Sequence, residues 1–148
     1  MTQVTLQQTQ ATIDYLFKDL WPMMAGSGER YSDSRNQAEV IQAIINKQPD
    51  HDSRIKALRQ LHGIGATIAS GLLWSFFPEE CVPFDKHTMG YCLFDWKIIR
   101  DYKITNGTYI RKCRTIITGL PRHVPPLLQP VDLVRWAGEH RSQEYSPE

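Results

Sequence analysis

A glycine-containing turn between two apolar segments is the part of the sequence whose residue types best suit chemistry. Residues 61–65 read Leu-His-Gly-Ile-Gly. Because glycine tolerates positive φ and lets another backbone approach closely, a tight turn is expected here. The first N–H groups of a helix after this turn have no partner within that helix and lie at the positive end of its dipole. We therefore expect the turn to favour an anion such as a phosphate.

Two helices must hold this turn. Before it, Ile55, Leu58 and Leu61 share one helical face, with Asp52 or Ser53 as the expected N-cap. After it, apolar residues recur at helical spacing until Pro78, and Leu61 and Ile64 are expected to lock the two helices together. The pattern predicts a helix-hairpin-helix over about residues 52–77. The buried positions expected on the second helix are Ile68, Ala69, Leu72, Leu73 and Phe76.

The remaining segments also have helical rather than strand periodicity. Helices are expected over residues 5–20, over 34–48 behind a capping box of Ser34 and Gln37, and in short segments between 85 and 140. A loop is expected over 25–32, a Pro-rich connection over 121–130 and a polar tail over 143–148. The fold class predicted is all-α, as a compact bundle of seven or eight short helices forming a single domain over residues 1–148.

Composition excludes several classes of protein. The 148 residues are 41% hydrophobic and 22% charged, as in ordinary globular domains. No stretch is long and apolar enough to span a membrane, and residues 1–10 lack the pattern of a signal peptide, so a cytoplasmic location is expected. The three cysteines make no disulfide framework and the five histidines have no metal-ligand spacing, so neither a metal nor a cofactor is predicted.

Positive charge is concentrated in one segment, although the net charge is only +1. Residues 85–122 contain eight basic and three acidic groups. Such a patch suits phosphate contact, and an ordinary solvated basic surface explains it equally well.

At this point the residues resemble a known family. The segment 61–70 looks like the helix-hairpin-helix of the DNA glycosylase superfamily, and 83–87 looks like that family's segment with a catalytic Asp. The interval of eighteen residues from Thr67 to Asp85 is similar to that in the endonuclease III and adenine-glycosylase branches. The resemblance covers about residues 52–95. It implies a DNA-glycosylase-like fold and contact with double-stranded DNA.

The departures from the family limit what the resemblance implies. Thr67 stands where bifunctional members have a Schiff-base Lys, and His62 stands where the family has Pro. The four-cysteine cluster loop is missing, and only about 60 residues precede the hairpin. The resemblance therefore implies no lyase nucleophile, and a fold that is short on its N-terminal side.

Candidate site residues follow from the turn and the resemblance together. Asp85 is the candidate catalytic carboxylate of a monofunctional glycosylase, and the alternative role for it is a simple helix cap. The candidate DNA-binding residues lie on the turn and the basic segment: His62, Gly63, Ile64, Gly65, Ala66, Thr67, Lys86, His87, Lys97 and Arg100.

Three functions remain open from the sequence. The first is binding to the phosphate backbone of double-stranded DNA without sequence preference. The second is a monofunctional DNA glycosylase of base-excision repair that uses Asp85. The third is a non-enzymatic module that docks a protein partner chain.

Overall fold

A computed structural model describes residues 3–20, 30–83, 110–111 and 113–114 of this protein. The helices in this part of the chain are α1 (Leu6–Tyr15), continued by a π-helix (Leu16–Leu20), then α2 (Tyr31–Arg35), α3 (Ala38–Lys47), α4 (His51–Leu58) and α5 (Ala66–Phe76). Residues 110–111 and 113–114 are also helical. The all-α class is confirmed for these residues, which include no strand. The bundle of seven or eight helices stays a prediction, as do the segments expected over 84–109 and 115–148, which lie outside the described residues.

Helix α1 begins at a capping box that the sequence analysis missed. The Thr5 hydroxyl accepts from the Gln8 N–H, and the Gln8 side chain accepts from the Thr5 N–H. Just before the cap, the Asn46 side-chain amide accepts a hydrogen bond from the Val4 N–H and donates one to the Val4 carbonyl, each at 2.9 Å. These bonds fasten the start of α1 to α3.

The capping box expected at Ser34 and Gln37 is wrong. Ser34 is buried inside α2, and Gln37 precedes α3 without making a side-chain cap. The Gln37 amide instead donates to the carbonyls of Asp33 and His62, each at 2.8 Å. The loop expected over 25–32 also ends earlier than predicted, because α2 begins at Tyr31.

Helices α4 and α5 form the two arms of the predicted helix-hairpin-helix. The N-cap of α4 is Asp50, which accepts from the Ser53 N–H at 2.7 Å, and neither Asp52 nor Ser53 has that role. Helix α4 ends at Leu58, so Leu61 belongs to the turn. Helix α5 ends at Phe76, ahead of Pro78 as expected.

The core lies where α1, α3, α4 and α5 meet. Helix α5 supplies the largest share, because it is buried from Ile68 to Trp74. Phe76 is only half-buried, against the expectation. The bulkiest side chains with almost no exposed surface are Trp74, Ile13, Leu16, Ile41, Ile55, Leu58 and Leu72. In the described part of the chain, no helix has the length and apolar character needed to cross a membrane.

Replacing Ile41 tests the placement of α3 against this core. Ile41 is fully buried, whereas its neighbour Val40 is 47% exposed. We expect Ile41→Ala to lower the free energy of unfolding by about 2–5 kcal/mol, because it leaves a cavity. The matched Val40→Ala variant should change it by less than about 0.5 kcal/mol. Urea unfolding followed by circular dichroism measures both, and equal losses would contradict this packing.

Candidate nucleic-acid interface

The turn between α4 and α5 is held by hydrogen bonds within the chain. The Leu61 N–H donates to the Leu58 carbonyl at 3.1 Å, and the Ile64 N–H donates to the Leu61 carbonyl at 3.2 Å. Gly63 has a φ of +72°, a left-handed conformation that favours glycine. Ile64 is 3% exposed and Leu61 packs against the same core. The turn is therefore anchored to the core by the two apolar residues predicted to do so.

The first amides of α5 are available for a ligand. Gly65 is the N-cap, in an extended conformation, and no side chain caps this helix end. Within the described chain, the N–H groups of Gly65 and Ala66 donate to no acceptor. The first helical bond after the turn runs from the Ala69 N–H to the Gly65 carbonyl at 2.9 Å. Two main-chain donors thus remain free at the positive end of an eleven-residue helix.

These donors border an open depression on the surface of the turn. Its volume is about 470 Å³, and the side chain that joins it from outside the hairpin is Arg30, just before α2. An anion that entered the depression would meet main-chain amides on one side and a guanidinium on the other. The lining residues are Arg30, Leu61, Gly63, Ile64, Gly65, Ala66, Thr67 and Ile68.

Helix α2 covers the other side of the turn with a carboxylate. A Cβ added to Gly63 would lie 2.3 Å from the Asp33 Oδ2 atom, so the carboxyl group rests directly against this glycine. Asp33 pairs with Arg30 at 3.3 Å, and its other oxygen lies 3.6 Å from the His62 Nε2 atom. Asp33 therefore connects the turn to Arg30 through an ion pair and to His62 through a longer contact.

The structure describes only some of the residues that the sequence predicted for this site. The predicted residues of the turn and the start of α5 lie together: His62, Gly63, Ile64, Gly65, Ala66 and Thr67. The His62 side chain is 85% exposed. The Ile64 side chain is buried, and its N–H is used within the turn. Asp85, Lys86, His87, Lys97 and Arg100 lie outside the described residues.

Three residues of this site were missed from the sequence: Arg30, Asp33 and Gln37. They are separated from the turn by more than twenty residues and belong to a segment expected to be loop or helix cap. No local pattern links them to the hairpin, because their proximity depends on how α2 packs. In the described residues, no cluster of His, Cys, Asp or Glu could hold a metal ion.

Comparison with protein-family models, with curated proteins and with solved structures found no match to this chain.

The two glycines of the turn should respond differently to alanine. In Gly63→Ala, the left-handed φ costs about 1–2 kcal/mol, and the displacement of Asp33 adds to that loss. In Gly65→Ala, the new methyl group meets no atom within 4 Å and the backbone is extended, so stability should change by less than about 0.5 kcal/mol. Urea unfolding of the two variants tests this, and a Gly65→Ala loss as large as that of Gly63→Ala would contradict the turn geometry.

Proposed function

We propose that this protein binds double-stranded DNA through its phosphate backbone, without reading base sequence. The observation that carries the proposal is the pair of free amides at Gly65 and Ala66 beside a depression lined by Arg30. A phosphate oxygen accepts hydrogen bonds from such amides and gains from the helix dipole. The resemblance of residues 61–70 to the hairpin of DNA glycosylases supports the same partner.

Main-chain donors explain how a chain of net charge +1 would hold a polyanion. Amides at a helix start attract a phosphate without adding formal charge. They bind every nucleotide alike, because the phosphate is common to all four. The proposed contact is therefore local, and its strength depends on a few groups rather than on a broad basic face.

The Asp33 carboxylate disfavours phosphate binding at the turn, and the Arg30 guanidinium offsets this repulsion. A carboxylate beside the turn repels a phosphate, and near a protein surface this repulsion is on the order of 1 kcal/mol or more. The Arg30 guanidinium already lies 3.3 Å from Asp33 and also lines the depression. When a phosphate binds, Arg30 bridges the two anions, so the site tolerates its own carboxylate.

The proposal concerns binding and not catalysis. A glycosylase reaction would need Asp85, which lies outside the described residues. Glycosylase activity stays an alternative function, which rests on the resemblance alone.

Removal of one free amide tests the proposal most cleanly. Ala66 is the first helical residue, where proline fits because its missing N–H has no helical partner, and the extended Gly65 before it suits a following proline. Ala66→Pro should leave the thermal midpoint nearly unchanged and weaken DNA binding roughly tenfold, because it removes a hydrogen bond to a charged group. Fluorescence anisotropy with a labelled duplex gives the affinity.

The matched control is Ala66→Ser, which keeps the N–H and should bind as the natural protein does. Proline and serine variants of equal stability and equal affinity would contradict a role for this amide. A natural chain that binds no duplex even at low salt would remove the proposal altogether.

The negative charge of Asp33 and the positive charge of Arg30 should have opposite effects on the affinity for DNA. We expect Asp33→Asn to tighten DNA binding about threefold to tenfold by removing the repulsion. Arg30→Gln should weaken binding and reduce the slope of log affinity against log salt by about 1. Lys47→Gln is the control, because Lys47 ends α3 about 15 Å from the start that faces the hairpin. A salt slope that falls equally in Arg30→Gln and Lys47→Gln would contradict a local site.

A further inference from the structure

A buried guanidinium that forms no ion pair in the described chain lies in the first half of α4. Arg54 is 4% exposed, and in the described chain no carboxylate comes within 4.0 Å of it to form an ion pair. Its close contacts are to uncharged groups: the Ile45 carbonyl at 3.1 Å, the His51 ring and the face of Phe77 at 4.9 Å. The Asp50 carboxylate attracts it only from beyond ion-pair distance. Buried charges in proteins are normally paired, so this one needs explanation.

His51 supplies no counter-charge. Its Nδ1 atom lies 3.0 Å from Arg54 Nη1 and must accept, because a guanidinium only donates. The proton is therefore on Nε2, which donates to Glu80 at 3.2 Å. Burial, followed by the Arg54 charge, lowers the pKa of His51 below its usual value, which keeps the ring neutral near pH 7. The Glu80 carboxylate that accepts from it is 61% exposed to solvent.

The guanidinium borders a second cavity, of about 350 Å³. In the described chain Arg54 Nη2 makes no hydrogen bond, and it is not completely covered, since among the described residues only the Ser34 hydroxyl is both fully buried and unpartnered. Unused donors of a buried cation therefore reach the cavity. The lining residues are Pro49, Asp50, His51, Arg54, Phe77, Glu80, Ile110 and Arg114.

We propose that this cavity binds a small monocarboxylate with an apolar body. The carboxylate takes hydrogen bonds from the Arg54 guanidinium, whose planar fork matches it. The apolar body lies against Phe77, Pro49 and Ile110. A dianion such as phosphate fits less well, because the Asp50 and Glu80 carboxylates of the lining offset the positive charges of Arg54 and Arg114, so that a second negative charge on the ligand finds no further cation. This site is separate from the hairpin, and it does not depend on the proposed DNA binding.

The test is a titration of the full chain with benzoate, followed by NMR of the His51 ring and the Arg54 Nε–H group. A second titration uses 3-methylbutanoate. We expect both acids to cause saturable shifts in these two side chains. Benzamide, which has the shape of benzoate without its charge, and inorganic phosphate should each bind at least tenfold more weakly.

Variants assign the binding to the cavity. Arg54→Gln should lower the affinity for benzoate at least tenfold. Lys56 is an exposed residue of the same helix, and Lys56→Gln should leave that affinity unchanged. If Arg54→Gln does not fold, Phe77→Leu must weaken benzoate binding at least threefold. The proposal is overturned if neither acid shifts His51 and Arg54 in the natural chain, if benzamide binds as well as benzoate, if phosphate binds more tightly, or if the cavity variants bind like Lys56→Gln.

Discussion

A helix cannot satisfy the N–H groups of its own first turn, and the site described here depends on that constraint. In many helices a side chain at the N-cap supplies an acceptor, as Thr5 does for α1 and Asp50 does for α4. Helix α5 has Gly65 at its N-cap, and glycine has no side chain to offer. In the described chain, the Gly65 and Ala66 N–H groups therefore stay free at the hairpin, beside the depression that Arg30 lines.

The hairpin is also the point that three residues of one distant segment, residues 30–37, contact. Gln37 binds the His62 carbonyl and so joins the start of α3 to the turn. Asp33 lies against Gly63, which only glycine permits at this distance. Arg30 balances the charge of Asp33 and reaches the depression. The rigidity of the turn and its electrostatics therefore come from the same short segment, residues 30–37.

The two cavities obtain their positive electrostatic potential from different groups. At the hairpin the positive potential is contributed by main-chain dipoles, with a formal charge only at the rim. In the cavity beside α4 it comes from formal charges, the buried Arg54 guanidinium that neutral groups hold and the exposed Arg114. The first arrangement suits a repeated backbone phosphate, and the second suits a single small anion enclosed by apolar walls. Neither arrangement would be visible in a net charge of +1.

Sequence reasoning succeeded where the structure depends on local pattern. The apolar spacing from Ile68 to Leu73 predicted α5, and the Gly-Ile-Gly turn predicted the hairpin, because both depend on neighbouring residues. The predicted N-cap of α4 was wrong. Asp50, Asp52 and Ser53 are all good capping residues within four positions, and the local sequence does not show which of them caps the helix. Ser34 and Gln37 fit a local motif, but tertiary packing directs the Gln37 amide to His62 instead.

Long-range proximity could not be predicted from one sequence. Nothing in the spacing of Arg30 and Asp33 indicates that they lie beside Gly63, because this depends on how α2 packs beside α1 and α3. In the same way, the spacing of His51 and Arg54 predicts only a shared helix face. Their burial beneath Phe77 follows from the crossing of α4 and α5.

The central claim is that the free amides of Gly65 and Ala66 receive a phosphate. The most direct measurement is an amide NMR titration of the ¹⁵N-labelled chain with a short duplex of arbitrary sequence. We expect the Gly65 and Ala66 resonances to move furthest and to saturate together, and a second duplex of different sequence to produce the same pattern. Saturable binding that leaves both resonances unmoved would contradict it.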